Sequence, residues 1–137
     1  MAVINELIRL EADGSISFGD YSLGQKTKKD NVEFNGSIYK VKTFNEITKL
    51  ERDGMFVYES VPGTTVNNLK SSGEGVEFVV EGNEDAQITL ELEPDTLYNI
   101  SVGGKDAGGM KTNLGGKLSL SVELDPEAQV SVSVSKQ

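Results

Sequence analysis

The sequence predicts an all-β protein built from antiparallel strands, and three observations favour this class. Apolar and polar residues alternate one by one over several short segments, as in 76–80, 98–102 and 118–122. Such a period of two is typical of strands with one buried and one wet face. Dipeptides that suit tight turns separate these segments, at intervals of about 8–14 residues in the second half, which is typical of sandwiches rather than of βαβ units.

Three dipeptides divide the first half of the chain into candidate hairpins. They are Asp13-Gly14, Asn35-Gly36 and Asp53-Gly54. Each combines two residue types that accept positive φ, so each predicts a type I′ turn between two paired strands. The β-branched and aromatic residues that alternate on both sides favour strands in the same places.

An internal repeat links two of these hairpins. Residues 5–14 align with residues 45–54 at an offset of 40, and six of the ten positions are identical. Two copies are too few for a solenoid, which needs about three or more. We interpret them as a pseudo-symmetric pair of hairpins in one small sheet, with chance similarity between two amphipathic hairpins as the alternative.

The second copy of the repeat also fits a short helix over residues 44–52. Thr43 and Glu46 have the spacing of a capping box, and Gly54 is placed to end the helix. Three apolar residues then share one helical face, namely Phe44, Ile47 and Leu50. The sequence leaves helix and strand open here.

A segment rich in Gly, Ser, Asn and Thr at 61–75 predicts a boundary between two units. We expect a small antiparallel β unit over 1–66 and a β-sandwich over 67–137. Segments 92–98 and 112–120 resemble the turns and late strands of immunoglobulin-like sandwiches. In those modules a Tyr hydroxyl pins a corner, and the resemblance implies this role for Tyr98.

The composition removes several kinds of chemistry. The 137 residues include no Cys, no His and no Trp. Thiolate nucleophiles, disulfides, Cys-built metal sites and His-dependent triads are therefore excluded. We name no catalytic residue and expect no cofactor. The two arginines, Arg9 and Arg52, lie beside Asp-Gly turns, where we expect solvated strand positions.

The compositions of two loops resemble those of ligand-binding loops, one for calcium and one for phosphate. Glu81, Asn83 and Asp85 gather oxygen ligands in one loop, which makes them weak candidates for calcium. The stretch 103–112 has the glycines of a phosphate-binding loop but not its spacing, and a strand-like segment follows where a helix is required. We therefore expect turns rather than a nucleotide site there.

The charge of the chain bears on its partners. Its 22 acidic and 13 basic residues give a net charge of −9. Nucleic acids and anionic membranes are bound by clustered Lys and Arg, so we expect neither as a partner. We also find no signal peptide and no apolar run long enough to cross a bilayer, and expect a cytoplasmic protein by default.

Four further segments, 39–44, 47–51, 56–63 and 110–120, give the chain a resemblance to a group of short acidic bacterial proteins filed under the name endosialidase. The resemblance implies a carbohydrate-active or carbohydrate-binding protein, which we keep as the alternative function. The leading hypothesis is a non-enzymatic structural or protein-interaction module. Its binding surface would be an exposed strand edge, such as residues 130–134, that pairs with a protein partner or a second copy.

Overall fold

A computed structural model describes residues 3–137, and these form two antiparallel β-sheets with no helix. The thirteen strands are β1 (Ile8–Leu10), β2 (Ile16–Phe18), β3 (Thr27–Phe34), β4 (Ser37–Thr43), β5 (Thr48–Arg52), β6 (Met55–Val61), β7 (Thr65–Ser72), β8 (Gly75–Glu81), β9 (Ala86–Glu91), β10 (Leu97–Val102), β11 (Lys105–Lys111), β12 (Lys117–Val122) and β13 (Val130–Lys136).

The strands divide into a first sheet of seven and a second sheet of six. The order in the first sheet is β1-β2-β7-β8-β13-β10-β11, and the order in the second sheet is β12-β9-β6-β5-β4-β3. Every pairing is antiparallel. The predicted all-β class is confirmed, and the alternating residues account for it because strands such as β8, β10, β12 and β13 bury one face and expose the other, although β2 is buried and β11 exposed along its whole length.

Both sheets contribute to one hydrophobic core. Tyr58 of the second sheet contacts two aromatic rings of the first edge-on, Phe18 with 5.3 Å and Phe78 with 5.6 Å between ring centroids. Edge-to-face pairs stabilise a core beyond the area that they bury. Aliphatic side chains that are almost fully buried surround this stack, among them Ile8, Ile16, Val41, Leu50, Val66, Val80, Ile88, Leu90, Ile100, Leu118, Leu120, Val122, Val132 and Val134.

Two of the three predicted type I′ turns are confirmed. Both residues of Asn35-Gly36 and of Asp53-Gly54 have positive φ and directly join paired strands. The turn at Asp13-Gly14 differs, because Gly14 alone has positive φ. There the Gly14 N–H donates to the Glu11 carbonyl at 3.0 Å and the Glu11 N–H to the Ser15 carbonyl at 2.8 Å. This is a longer hairpin loop that ends in a left-handed glycine.

The internal repeat folds as two hairpins, but not in one sheet. The first copy includes β1 and continues through the Asp13-Gly14 turn into β2 in the first sheet, while the second copy includes β5 and continues through the Asp53-Gly54 turn into β6 in the second sheet. The prediction of a shared sheet is wrong, because β2 pairs next with β7 whereas β5 and β6 pair with β4 and β9.

The helical alternative for residues 44–52 is also wrong. Residues 48–52 are β5, which pairs with β4 on one side and β6 on the other. The hydroxyl of Thr43, the predicted N-cap, lies 2.8 Å from the Thr48 hydroxyl instead of capping a helix. A strand placed between two others gains two hydrogen-bonded ladders and buries Leu50, and this outweighs a weak local preference for helix.

Each sheet contains strands from both predicted units. The predicted boundary between residues 66 and 67 falls inside β7, and β7 pairs with β2 of the first unit. Likewise β6 pairs with β9 in the second sheet. In each sheet the strands of the first unit lie on one side and those of the second on the other, and residues of both halves belong to one core. The division into two units stays a prediction.

Tyr98 occupies the corner that the resemblance implied for it. Its ring is buried at the start of β10, and its hydroxyl accepts a hydrogen bond from the Glu93 N–H at 3.2 Å. The role of the hydroxyl at the corner is confirmed. The assignment to the immunoglobulin-like class stays a prediction.

One end of the sandwich is sealed by a network of buried hydroxyls, and we call this region the closed end. The Thr64 hydroxyl lies 2.8 Å from the Tyr58 hydroxyl and 2.7 Å from the Ser60 hydroxyl. The Thr48 hydroxyl donates to the Thr64 carbonyl at 2.8 Å. Burying hydroxyls costs free energy unless each finds a partner, and here they find one another. Burial raises the pKa of Tyr58, so its hydroxyl stays protonated.

Candidate functional site

Two of the three predicted calcium ligands are hydrogen-bonded to other parts of the chain. Glu81, the last residue of β8, is buried and accepts a hydrogen bond from the Gln129 amide at 2.9 Å. Asp85 accepts the Leu124 N–H at 3.0 Å, and Asn83 is exposed. In the described part of the chain, no group of three or more carboxylate, His or Cys side chains is arranged to hold a metal ion. The calcium site stays a prediction with no such cluster to support it.

The glycine-rich stretch 103–112 forms a hairpin. Gly103 and Gly104 both have positive φ and connect β10 to β11. The residues that follow form β11, a strand at the edge of the first sheet. A phosphate-binding loop requires a helix N-terminus at this point. The predicted turn at Gly103-Gly104 is confirmed, whereas Gly108 and Gly109 lie within β11.

The predicted interaction edge is not an edge. Residues 130–134 lie in β13, which pairs with β8 on one side and β10 on the other. This prediction is wrong because alternation identifies which face of a strand is buried but not which strands lie beside it. Among the described residues, the edge strands are β1 and β11 in the first sheet and β3 and β12 in the second.

Three of these four edges carry features that hinder pairing with another strand. β1 has three residues. β3 has a register shift between Lys29 and Val32 and a positive φ at Asn31. β11 faces a register shift in β10, contains Gly108 at positive φ and is charged at both ends. Short length, bulges and charges are the usual means by which natural sheets protect their edges.

The fourth edge, β12, lacks these features. Its six residues pair with β9 without a register shift. Lys117 is its one charged residue, and Ser119 and Ser121 occupy its exposed face. Those two hydroxyls are hydrogen-bonded to Thr89 and Gln87 of the neighbouring strand, at 3.0 and 2.7 Å. The strand is therefore regular. Its outer side is open beyond Lys117, whose N–H donates to the Asn113 side chain at 2.9 Å and whose carbonyl accepts the Asn113 N–H at 3.1 Å.

A cleft opens at the end of the sandwich opposite the closed end, and we call this region the open end. Turns of both sheets border it, including Gly14, Asn35 and Ser72. It has a volume of about 700 Å³. Its floor is apolar and is formed by side chains of both sheets, namely Ile16, Tyr39, Leu50, Val57, Leu69, Val76 and Val134.

Five charged side chains line the cleft at the open end. Asp13 and Lys70 pair with each other, whereas Arg52, Glu74 and Glu77 have no ion pair among residues 3–137. The Lys70 ammonium lies 3.0 Å from the Asp13 carboxylate. Arg52 lines the same cleft and an adjoining smaller one of about 270 Å³. Among residues 3–137 its guanidinium has no ion pair and no side-chain hydrogen bond. Arg9 is half-buried and donates from two nitrogens to Glu11, at 3.0 and 3.1 Å.

Sequence reasoning did not find the cleft. It placed Arg52 beside a turn and expected a solvated strand position, which agrees with the exposure of this residue. It did not show that Arg52 is opposite Tyr39 in the sheet and therefore on the inner face. A signal was present in the alternation of Thr48, Leu50 and Arg52, which puts all three residues on one face of β5.

No helix in the described residues is long and apolar enough to cross a membrane. Comparison of the chain with protein-family models, with curated proteins and with solved structures found no match.

Proposed function

We propose that this protein is a non-enzymatic structural module that associates with a second copy of itself along β12. The observation that carries the proposal is the contrast among the four edges. Three of them are short, bulged or charged at both ends, whereas β12 is regular and leaves the main-chain groups of Ser119 and Ser121 open to another strand, with those of Lys117 bound to Asn113. An unprotected regular edge presents unpaired N–H and carbonyl groups to another strand.

The sequence of β12 is complementary to itself in one antiparallel register. A two-fold axis through Leu120 places Leu118 opposite Val122 and Ser119 opposite Ser121. The same axis places Lys117 of one copy opposite Glu123 of the other. Like residues then share a face, and opposite charges meet at both ends of the pairing. Glu123 is exposed, so its carboxylate is free to approach the second copy.

The expected affinity is modest. The apolar side chains of β12 are already buried in the monomer, so pairing adds main-chain hydrogen bonds more than apolar burial. Each such bond contributes about 0.5–1.5 kcal/mol net, and association costs at least about 4 kcal/mol. The main chain of Lys117 is already bound to Asn113, so Ser119 and Ser121 of the two copies can form four main-chain hydrogen bonds. Together with two ion pairs at the ends, worth up to about 1 kcal/mol each, they exceed the cost of association by at most about 4 kcal/mol, which corresponds to dimerisation in the millimolar range.

A charge swap at the ends of β12 tests the proposal. Lys117→Glu and Glu123→Lys each place like charges opposite one another in the dimer, and we expect each to weaken dimerisation about tenfold. The double variant restores opposite charges and should return the dissociation constant to within about twofold of the original. Sedimentation equilibrium from about 10 µM to 1 mM measures all four proteins.

Two controls make the result specific. Lys117 also lies 3.5 Å from Glu91, so the melting temperature of each variant is measured to confirm that it folds. Lys105→Glu reverses a charge on the protected edge β11 and should leave dimerisation unchanged. A chain that is monomeric up to 1 mM, or a dimer indifferent to the swap, contradicts the proposal.

A further inference from the structure

The turn between β3 and β4 contains the one asparagine of the chain that precedes a glycine, Asn35-Gly36. In such a pair the main-chain nitrogen of the glycine can attack the side-chain amide of the asparagine, because glycine has no Cβ to hinder the approach. Both residues are exposed, and nothing lies within 4 Å of a Cβ placed on Gly36. The turn is therefore open to solvent and free of steric obstruction around Gly36.

The Asn35 side chain is unrestrained, which distinguishes this turn from the two Asp-Gly turns. Asp13 accepts the Ser15 N–H at 3.0 Å, and Asp53 accepts the Ile38 N–H at 2.8 Å. The side-chain amide of Asn35 has no hydrogen-bond partner among residues 3–137. It is also the better electrophile, because carboxylates are ionised at neutral pH and an anion resists attack by a nucleophile.

The attack requires the β3–β4 hairpin to open for a moment. In a type I′ turn the ψ angle of the first residue is about +30°, and this angle directs the Gly36 nitrogen away from the Asn35 side chain. Opening costs little free energy because β3 is an edge strand that pairs only with β4, is mostly exposed and has a register shift between Lys29 and Val32. Segments with few buried contacts open locally, without global unfolding.

We infer that Asn35 is a site of spontaneous deamidation and that its isoaspartate product loosens the β3–β4 hairpin. The Gly36 nitrogen forms a bond to Cγ of Asn35, and the side-chain amide nitrogen leaves as ammonia, taking up the proton of the Gly36 N–H. Water then opens the resulting succinimide ring. Attack of water at Cγ gives aspartate, whereas attack at the main-chain carbonyl carbon gives isoaspartate, in which the chain continues through Cγ.

The two products differ in their effect on the turn. Aspartate keeps it, because Asp53-Gly54 already forms the same turn in this protein, with φ angles of 53° and 79° against 53° and 82° at Asn35-Gly36. Isoaspartate adds a methylene carbon to the main chain, and a two-residue turn has no room for an additional main-chain atom. Isoaspartate should therefore weaken the pairing of β3 with β4, and aspartate should not.

Deamidation is followed in the folded full chain in H₂¹⁸O at mildly alkaline pH, with peptide mapping by mass spectrometry. Each event incorporates one heavy oxygen, which separates it from deamidation that preceded the incubation. Asn83 is the internal control, because it is exposed and also lacks a hydrogen-bond partner in the described part of the chain but precedes Glu84. We expect Asn35 to react an order of magnitude faster than Asn83. In the Asn35→Gln variant, incorporation at position 35 should fall to the level of Asn83, because a larger ring would have to form.

The isoaspartate form is separated by chromatography and compared with the Asn35→Asp variant by hydrogen–deuterium exchange. We expect faster exchange of the β3 amides in the isoaspartate form, and equal exchange in β13, which lies inside the other sheet. The inference is overturned by equal rates at Asn35 and Asn83, by reaction at Asn35 only after the chain is unfolded in urea, or by equal β3 exchange in the isoaspartate form and the variant. These outcomes are independent of association along β12, because β3 and β12 lie at opposite edges of the second sheet.

Discussion

The closed and open ends of the sandwich are built from the same two sheets, but they differ in which groups they bury and in how far solvent enters. At the closed end, five Ser and Thr side chains are fully buried and hydrogen-bonded, to one another or to main-chain carbonyls. At the open end, apolar side chains approach a gap that solvent enters, and an arginine lies there without a counterion. The closed end thus fixes the structure, and the open end leaves groups free to bind.

The largest expected effect comes from the spacing of the backbone at the closed end. A Cβ on Gly63 would overlap the carbonyl oxygen of Phe44, which backbone atoms cannot avoid without moving. Gly63→Ala should therefore destabilise the protein by roughly 3 kcal/mol, at the upper end of what overpacking costs. Urea unfolding measures this value as a shift in midpoint with unchanged slope.

Gly73→Ala is the matched control at the open end. Nothing lies within 4 Å of a Cβ at Gly73, and its φ is not positive. We expect a change within about 0.5 kcal/mol, as for other surface substitutions. Equal destabilisation by the two variants would show that the close approach of the Phe44 carbonyl does not restrict the residue at position 63.

The second prediction concerns the hydroxyl network. Thr64→Val keeps the shape of the side chain but removes the partner of the Tyr58 and Ser60 hydroxyls. Leaving a buried polar group without a partner costs about 1–3 kcal/mol, so we expect a loss of that size in the free energy of unfolding.

A hydroxyl removed at the open end provides the comparison. Ser72→Ala deletes an exposed side chain that accepts the Glu74 N–H at 3.2 Å, and water replaces this bond. We expect the free energy of unfolding to change by no more than about 0.5 kcal/mol. If Thr64→Val were equally mild, the buried network would not be what holds the closed end together.

The contrast between the two ends also separates what the sequence predicts from what it does not. Alternation predicted the strands, because burial of one face of a strand places apolar residues at every second position, such as Val76, Phe78 and Val80. The Asp53-Gly54 turn was predicted because positive φ is a local requirement. The role of Tyr98 was implied by a resemblance between short segments. Each of these features depends on a few neighbouring residues.

The features that sequence reasoning missed all depend on pairing between distant strands. The position of β13 inside the first sheet, and the opposite sheets of the two repeat hairpins, follow from which strands lie side by side. Sequence reasoning missed the cleft for the same reason, since its lining residues, such as Arg52 and Val76, come from strands of different sheets. The carbohydrate alternative depends on resemblance alone and stays a prediction.

The smallest expected effect is a pH dependence confined to the open end. Hydrogen bonds from the Ser15 hydroxyl and N–H, together with Lys70, hold the pKa of Asp13 well below its usual value of 3.8. A lowered pKa in the folded state means that Asp13 stabilises the protein above that usual value. The contribution is lost as the pH falls below 3.8 toward the lower pKa of the folded state.

The Asp13→Asn variant isolates this contribution. The difference in melting temperature between the original protein and the variant should be constant from pH 7 to about pH 5, and should shrink as the pH falls below about 4. Asp30→Asn is the control, because Asp30 is exposed and has no ion pair or side-chain hydrogen bond among residues 3–137. The loss caused by Thr64→Val should stay the same across this range, since the hydroxyls of the closed end do not titrate there. A pH-independent Asp13→Asn difference would mean that the Asp13 contacts do not persist in solution.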